Sequence, residues 1–149
     1  QDLRIINEAV VPLYPAVPNP YTLLSQIPEE AQWFTVLDLK DAFVCISVHP
    51  DSPFLFAFED PSNPTSQITW TVLPQGFRDS PHLFGHALAQ DLSWFSYLDP
   101  LVLWHMDDIL LAAHSETLCH QATQAFFFFF FGDGVLLVTQ AGVQWRDLG

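Results

Sequence analysis

The densest apolar pattern in the chain runs from Leu101 to Ala113 and is interrupted by two adjacent carboxylates, Asp107 and Asp108. Apolar runs of about five residues on either side predict two buried strands, which places the acidic pair at or beside a tight hairpin turn. Like charges held close together beside apolar walls repel each other and lose hydration, so a divalent cation is an obvious neutralising partner. The alternative is a solvated turn, because turns favour Asp for conformational reasons alone.

Four further runs upstream of this hairpin have the composition of β-strands. Recurring prolines between residues 11 and 28 precede them and indicate an extended lead-in with one helical turn near residues 21–25. Residues that favour strands then alternate with turn-rich segments, which predicts a largely antiparallel arrangement. The predicted strands are Trp33 to Leu37, ending at Asp38, then Phe43 to Val48, Phe54 to Phe58 and Gln67 to Val72.

Two amphipathic patterns predict helices on either side of the acidic hairpin. Ser80 followed by Pro81 is typical of a helix start, and one apolar stripe continues from there to about Tyr97. Ser115 is a suitable cap for a second helix, which should reach Ala125. Helices beside an antiparallel sheet indicate an α+β fold.

A tract of six consecutive phenylalanines begins at Phe126. It has neither helical nor strand periodicity, and packed cores mix side-chain shapes, so the tract indicates low complexity. The alternative is a wholly buried helix end. We therefore predict one domain over residues 1–125 and a low-complexity tail over residues 126–149.

Acidic residues outnumber basic ones by 17 to 4, which gives the chain a formal charge of −13 with every His neutral. Nucleic-acid affinity rests largely on Lys and Arg displacing condensed counterions, so composition alone argues against a nucleic-acid partner. The one methionine is Met106, so we expect residue 1 to lie inside a longer protein or to follow processing.

Cysteine usage and hydropathy bear on the compartment. Cys45 and Cys119 are far apart and form no Cys-x-x-Cys motif, so both are expected to be reduced and buried, as in an intracellular, cytoplasmic protein. No uninterrupted apolar stretch reaches about 18 residues, and the N-terminus lacks a basic segment followed by an apolar one. We therefore expect no membrane partner, no spanning helix and no signal peptide.

Five short motifs, taken in order, closely resemble those of retroviral reverse transcriptases, and of gammaretrovirus-like endogenous elements in particular. The resemblance covers residues 1 to about 125. It implies an antiparallel palm-like sheet packed against helices, in an incomplete form without the thumb, connection or ribonuclease H domain. The motifs are Gln1-Asp-Leu-Arg4, Val17-Pro-Asn-Pro-Tyr21, Val36-Leu-Asp-Leu-Lys-Asp-Ala-Phe43, Leu73-Pro-Gln-Gly-Phe77 and Met106-Asp-Asp108.

The resemblance implies that Asp38, Asp107 and Asp108 are the catalytic, metal-binding aspartates. Two Mg²⁺ (or Mn²⁺) ions would require such oxygen ligands for the attack of a primer 3′-hydroxyl on a nucleotide α-phosphate. It further implies that Phe43 is an aromatic gate that excludes a ribose 2′-hydroxyl, and that Gln75 contacts the incoming nucleotide and template. From the residues alone, Phe43 fits an apolar strand equally well, and Gln75 fits an ordinary polar turn. The implied partners are a template–primer nucleic acid and a deoxynucleotide.

The chain also departs from this family next to the acidic pair. His105 occupies a position where the family usually has Tyr or Phe, and together with Met106 it would lie beside the primer terminus. Basic residues are thinned as well, because Arg4 is followed by Ile-Ile-Asn-Glu-Ala-Val. From Phe126 onward the chain resembles a translated Alu-type repeat, particularly over residues 138–148, in which an antisense A-rich tail encodes repeated Phe.

Three hypotheses of function follow. The first is an active, metal-dependent RNA-directed DNA polymerase palm. The second, which we favour over the first, is a remnant of the RNA-directed DNA polymerase of an endogenous retrovirus in a primate genome, inactive as this fragment. The third, which composition alone favours, is a non-catalytic acidic interaction or metal-binding module without a polymerase role.

Overall fold

The chain divides into two compact units, each built from segments that are distant in sequence. The computed structural model describes residues 1–13, 19–95 and 101–132. Unit 1 comprises Gln1–Pro15 and Asp41–Ala87, and unit 2 comprises Ala16–Lys40 and Leu88–Gly149. In chain order the elements are α1 (Arg4–Ala9), α2 (Pro20–Leu24), β1 (Trp33–Asp38), β2 (Phe58–Asp60), β3 (Asn63–Ile68), α3 (Ser80–Trp94), β4 (Leu101–His105), β5 (Asp108–Ala113) and α4 (Glu116–Phe131).

Unit 2 contains a three-stranded antiparallel sheet in the order β1-β5-β4. The predicted strand from Trp33 to Leu37, ending at Asp38, is confirmed as β1, and the two apolar runs predicted as strands on either side of the acidic pair are confirmed as β4 and β5. Helix α4 contacts β5 and β1 and covers one face of the sheet. The side chains buried on this side include Thr35, Leu37, Ile109, Leu111, Cys119, Ala122, Thr123 and Phe126.

The lead-in to this sheet contains the single helical turn that its prolines allow. Helix α2 begins at Pro20, where the missing N–H is not needed, and the Asn19 side chain accepts a hydrogen bond from the Tyr21 N–H at 2.9 Å. Helix α2 contacts β4. The predicted turn near residues 21–25 is therefore confirmed.

Unit 1 contains a two-stranded antiparallel hairpin formed by β2 and β3. Two of its predicted strands are wrong. Residues predicted as the strand Phe43 to Val48 instead form a 3-10 helix, Ala42–Cys45, followed by an isolated bridge from Ser47 to Val72. Residues predicted as the strand Phe54 to Phe58 begin with a second 3-10 helix, Pro53–Phe56.

Local backbone chemistry explains both errors. Asp41 has φ 54, a left-handed conformation that turns the chain before the first 3-10 helix. Pro53 occupies the first turn of the second, where its fixed φ favours helical geometry. The predicted strand Gln67 to Val72 is also shifted, since β3 ends at Ile68.

Contacts between distant segments hold unit 1 together. The Gln1 side chain donates to the Phe56 carbonyl at 2.9 Å and accepts from the Trp70 indole at 2.8 Å. The Asn7 side chain donates to the carbonyl of Gly76, which has φ +93 and therefore needs glycine. Helix α1, which the sequence did not predict, is thereby tied to the turn at Gly76.

The two predicted long helices are present. Helix α3 spans Ser80–Trp94, so Ser80, which was predicted as the N-cap before Pro81, lies in the helix and its hydroxyl donates to the Pro74 carbonyl at 3.0 Å. Tyr97, where the helix was predicted to end, lies outside the described residues. The Ser115 side chain accepts from the Leu118 N–H and caps α4, as predicted. In the described ranges, no helix is long and apolar enough to cross a membrane.

Helix α4 continues through the phenylalanine tract without a break. Phe126 is fully buried and Phe130 is nearly so, whereas Phe128 is 79% exposed. Aromatic contacts join Phe95 to Phe126, Phe129 and Phe130, and the ring centroids of Phe95 and Phe126 lie 5.3 Å apart. The tract is thus helical up to residue 131, with some side chains buried and others exposed. A domain boundary at residue 126 stays a prediction.

Candidate active site

Asp38 and Asp108 are direct partners across the antiparallel ladder between β1 and β5. Asp108 is also the partner of His105 across the ladder between β5 and β4. Directly paired residues of an antiparallel sheet project from the same face. The structure therefore places Asp38, Asp108 and His105 in one row at one end of the sheet.

Asp107 lies in the two-residue turn that joins β4 to β5. The other residue of this turn, Met106, has φ 56, which is uncommon for a residue with a side chain. The Leu39 N–H donates to the Asp107 carbonyl at 2.9 Å, so the turn is tied to the residue that follows Asp38. The predicted hairpin at the acidic pair is confirmed, and Asp38 lies beside it.

The three aspartates are solvent-exposed, and their charges interact. The pKa of Asp108 is raised above its ordinary value of 3.8, first by partial burial and then by the negative charges of Asp107 and Asp38. His105 opposes this shift of the Asp108 pKa. Within residues 1–13, 19–95 and 101–132, no Lys or Arg forms an ion pair with any of the three aspartates.

The donor chemistry of this cluster suits a hard divalent cation, because carboxylate oxygens are the ligands that Mg²⁺ and Mn²⁺ prefer. Mutual repulsion that raises the Asp108 pKa is the electrostatic situation that a bound cation relieves. In the described part of the chain, however, no three His, Cys, Asp or Glu side chains converge closely enough to hold a metal ion. The aspartates share one end of the sheet without forming a complete coordination shell.

A cavity of about 210 Å³ adjoins the acidic row on the face opposite α4. Its lining is mainly apolar and includes Leu23 and Leu24 from α2, together with Val36 and Leu110 from the sheet. His105 and Asp108 form its polar end, and the buried His105 Nδ1 has no hydrogen-bond partner among the residues that the structure describes. This cavity could not be predicted from the sequence, because α2 reaches the sheet only in the tertiary fold.

Phe43 and Gln75 belong to unit 1, whereas the three aspartates belong to unit 2. Phe43 is half-buried in a 3-10 helix, and its ring meets Phe84 edge to face at 6.0 Å. Gln75 is exposed in the turn before Gly76. Their roles in nucleotide binding stay predictions.

Comparison with known protein families shows that residues 1–133 match the family described as reverse transcriptase (RNA-dependent DNA polymerase). The Gag-Pol polyproteins of woolly monkey sarcoma virus and gibbon ape leukemia virus are each 53% identical over 129 residues. That of feline leukemia virus is 52% identical over 130 residues. These alignments cover 83% to 84% of the chain but only 8% of each polyprotein.

Solved structures show the same α+β architecture. The native crystal structure of the prototype foamy virus protease-reverse transcriptase matches with a TM-score of 0.68 at 29% identity, covering 88% of this chain and 17% of that one. A foamy viral protease-reverse transcriptase in complex with dsDNA matches with a TM-score of 0.74 at 23% identity, covering 91% of this chain and 27% of that one. The second likeness concerns the fold alone.

Proposed function

Because the chain belongs to the reverse transcriptase family, we propose that its three aspartates form the nucleotidyl-transfer site of an RNA-directed DNA polymerase. The observation that carries the proposal is the pairing of Asp38 with Asp108 at the sheet end where Asp107 occupies the adjoining turn. The backbone pairing brings residues of two strands and one turn to this end of the sheet, although 69 positions (107 − 38) separate Asp38 from Asp107 in sequence. The substrates would be a template–primer nucleic acid and a deoxynucleotide.

In this proposal, Asp38 and Asp107 hold two divalent cations and Asp108 supports them. Bound Mg²⁺ or Mn²⁺ would supply activation of the primer 3′-hydroxyl and stabilisation of the departing pyrophosphate. The residues of the chain position the reactants: His105 and Met106 would contact the primer terminus, Phe43 would exclude the ribose 2′-hydroxyl, and Gln75 would contact the nucleotide and template.

We further propose that the chain does not catalyse polymerisation on its own. Four basic residues against 17 acidic ones leave little positive charge to hold a phosphate backbone. His105 offers the primer a smaller surface than Tyr or Phe would.

A primer-extension assay tests both parts of this proposal. With an RNA template, a DNA primer and Mg²⁺ or Mn²⁺, we expect no template-dependent incorporation by the chain. Incorporation that disappears in Asp107→Asn would establish the site and contradict the inactivity. Incorporation that persists in Asp107→Asn would contradict the assignment of the site.

Metal titration tests the site without relying on turnover. We expect Mn²⁺ to bind weakly, with an affinity in the millimolar range, and Asp38→Asn and Asp107→Asn to abolish that binding. Nanomolar affinity in the absence of nucleotide would favour the acidic metal-binding module instead. Asp51→Asn, an exposed substitution in unit 1, controls for the loss of one negative charge.

The proposed lineage is an endogenous retroviral element whose C-terminal residues derive from an Alu-type repeat, in an intracellular, cytoplasmic protein. Residues 138–148 support the repeat, and the gammaretroviral relatives support the retroviral part. Detection by mass spectrometry of a peptide that spans residues 125–132 would establish that both parts are translated together. Peptides from residues 1–125 that always end before Phe126 would contradict that fusion.

A further inference from the structure

Three polar side chains are buried together between β1 and α4 in unit 2. Thr35 is on β1, while Cys119 and Thr123 lie one turn apart on α4, and their exposed fractions are 0%, 0% and 6%. Thr35 Oγ1 lies 2.8 Å from Thr123 Oγ1 and 3.3 Å from Cys119 Sγ. The Thr123 hydroxyl also donates to the Cys119 carbonyl at 2.7 Å.

One hydrogen on each group sets the direction of these bonds. The hydrogen of Thr123 is used on the Cys119 carbonyl, which can only accept. Thr123 Oγ1 must therefore accept from Thr35, and Thr35 Oγ1 must accept from the Cys119 S–H. The bonds form a one-directional circuit that begins and ends at Cys119, which we call the Thr35 circuit.

The Thr35 circuit differs in kind from the packing around it. The neighbouring contacts between α4 and the sheet involve apolar side chains such as Leu37, Ala122 and Phe126, and apolar burial is non-directional. Hydrogen bonds require defined distances and angles, and a buried polar group left without a partner is strongly disfavoured. Displacement of α4 along β1 would break the circuit, so the circuit selects one arrangement of helix and strand.

We propose that the Thr35 circuit is a positioning device for the Asp38 end of β1, an inference that rests on the proposed function of Asp38. Thr35 precedes Asp38 by three residues, and the two side chains lie on opposite faces of the strand. In the ladder with β5, Thr35 pairs with Leu111 and Asp38 pairs with Asp108. A loosened Thr35 therefore loosens the pairing that brings the carboxylates together.

Hydrogen exchange measured on the full chain tests the positioning directly. The Leu39 N–H donates to the Asp107 carbonyl at 2.9 Å and so reports on the site end of β1. Thr35→Val keeps the shape of the side chain but removes the hydroxyl. We expect it to accelerate exchange at Leu39 about tenfold relative to the amides of β4, because a broken circuit frees β1 selectively. Equal acceleration in β1 and β4, or none, would overturn the proposal.

Three further variants distinguish the effect of losing the hydroxyl from other effects of substitution on the exchange rate. Thr35→Ser restores the hydroxyl and should bring Leu39 exchange to within about twofold of the wild-type rate. Cys119→Ala removes the S–H group but leaves the bonds from Thr35 to Thr123 and from Thr123 to the residue 119 carbonyl. It should give the same pattern at smaller amplitude, and it also serves if Thr35→Val fails to fold. Thr22→Val removes an exposed hydroxyl in the same unit and should change nothing. Failure of Thr35→Ser to restore exchange would count against the circuit.

Mn²⁺ titration of the same proteins supplies the functional readout. Thr35→Val should weaken Mn²⁺ binding several-fold, and Thr35→Ser should recover it. Faster Leu39 exchange with unchanged Mn²⁺ affinity would overturn the link to Asp38. If the wild-type chain binds no Mn²⁺ at its aspartates, the proposed function fails, while the exchange pattern still decides whether the circuit positions β1.

Discussion

Asp38 and Asp108 face each other across the β1–β5 ladder, where Asp38 is the last residue of β1 and Asp108 is the first residue of β5. A slip of one residue in this register would turn Asp38 toward the buried face, where Leu37 is now fully enclosed. Burial of an unpaired carboxylate is strongly unfavourable, so the hydrophobic pattern of β1 favours the register that keeps Asp38 on the exposed face, despite its repulsion of Asp108. The meeting of the carboxylates is thus a consequence of core packing.

The raised pKa of Asp108 predicts that cation binding depends on pH. Protons compete with the cation for a carboxylate, so Mn²⁺ affinity should fall as pH decreases through the raised Asp108 pKa, which lies above 3.8. Mn²⁺ titrations from about pH 7 downward would measure this dependence. Asp108→Asn should remove the contribution of Asp108 to the pH dependence of Mn²⁺ affinity. A pH profile identical to that of the wild type would contradict the prediction.

The same shift of the Asp108 pKa predicts an effect on stability without metal. Because the folded state raises this pKa above the unfolded value, the favourable contribution of Asp108 is fully present below 3.8 and is lost as pH rises through the folded pKa. Asp108→Asn should therefore increase the free energy of unfolding at neutral pH but not in acid. Urea unfolding of dilute protein at neutral pH and below pH 3.8 would measure this free energy of unfolding. Asp91→Asn serves as an exposed control in unit 2.

Met106 in the site turn is a candidate for stabilisation by glycine. Its φ of 56 destabilises a residue with a side chain by about 1–2 kcal/mol, and glycine would remove this cost. Part of that gain is offset because glycine loses more conformational entropy on folding. Met106→Gly should raise the free energy of unfolding by about 0.5–1 kcal/mol. Met106→Ala retains the Cβ and should show no such gain. Equal effects of the two substitutions would mean that the backbone conformation is not the cause.

The phenylalanine tract offers a matched pair of substitutions on one helix. Phe126 is fully buried, so Phe126→Ala should lower the free energy of unfolding by about 3–5 kcal/mol. Phe128 is 79% exposed, so Phe128→Ala should change it by less than about 0.5 kcal/mol. Similar losses in both variants would contradict the burial pattern of α4.

Exposed aromatic side chains also predict poor solution behaviour. Phe128 and Trp94 are more than two-thirds exposed, and Phe129 is 43% exposed, all in unit 2. We expect the expressed wild-type chain to aggregate and Phe128→Glu to reduce that aggregation, as measured by light scattering during size-exclusion chromatography. A monodisperse wild-type chain at high concentration would contradict this expectation.

The sequence predicted the elements of unit 2 better than those of unit 1. Trp33 to Asp38 and Leu101 to Ala113 carry long apolar runs, and each of their three strands has buried side chains, so local preference and tertiary packing favour the same structure. In unit 1 the apolar runs at Phe43 and Phe54 form 3-10 helices instead. Short apolar runs are compatible with both a strand and a helix, and the backbone conformation at Asp41 and Pro53 favours the helix.

The candidate site was predictable in its members but not in its geometry. Asp38, Asp107 and Asp108 were identified by motif, and the structure brings them to one end of a sheet. The cavity beside His105 and the Thr35 circuit were not predictable, because both depend on helices reaching the sheet from distant parts of the chain. No pattern at Thr35 distinguishes a buried hydrogen-bonded hydroxyl from an ordinary strand threonine.

The amino-acid sequence by itself determined the family, the α+β class and the identity of the acidic residues, because motif order and apolar period are local properties of the chain. The tertiary structure alone decided that Asp38 faces Asp108 and that Asp107 lies in the adjoining turn. It also decided which phenylalanines are buried, since burial depends on what lies opposite each side of α4. Pairing register and packing partners join residues that are far apart in sequence, and only the folded chain specifies them.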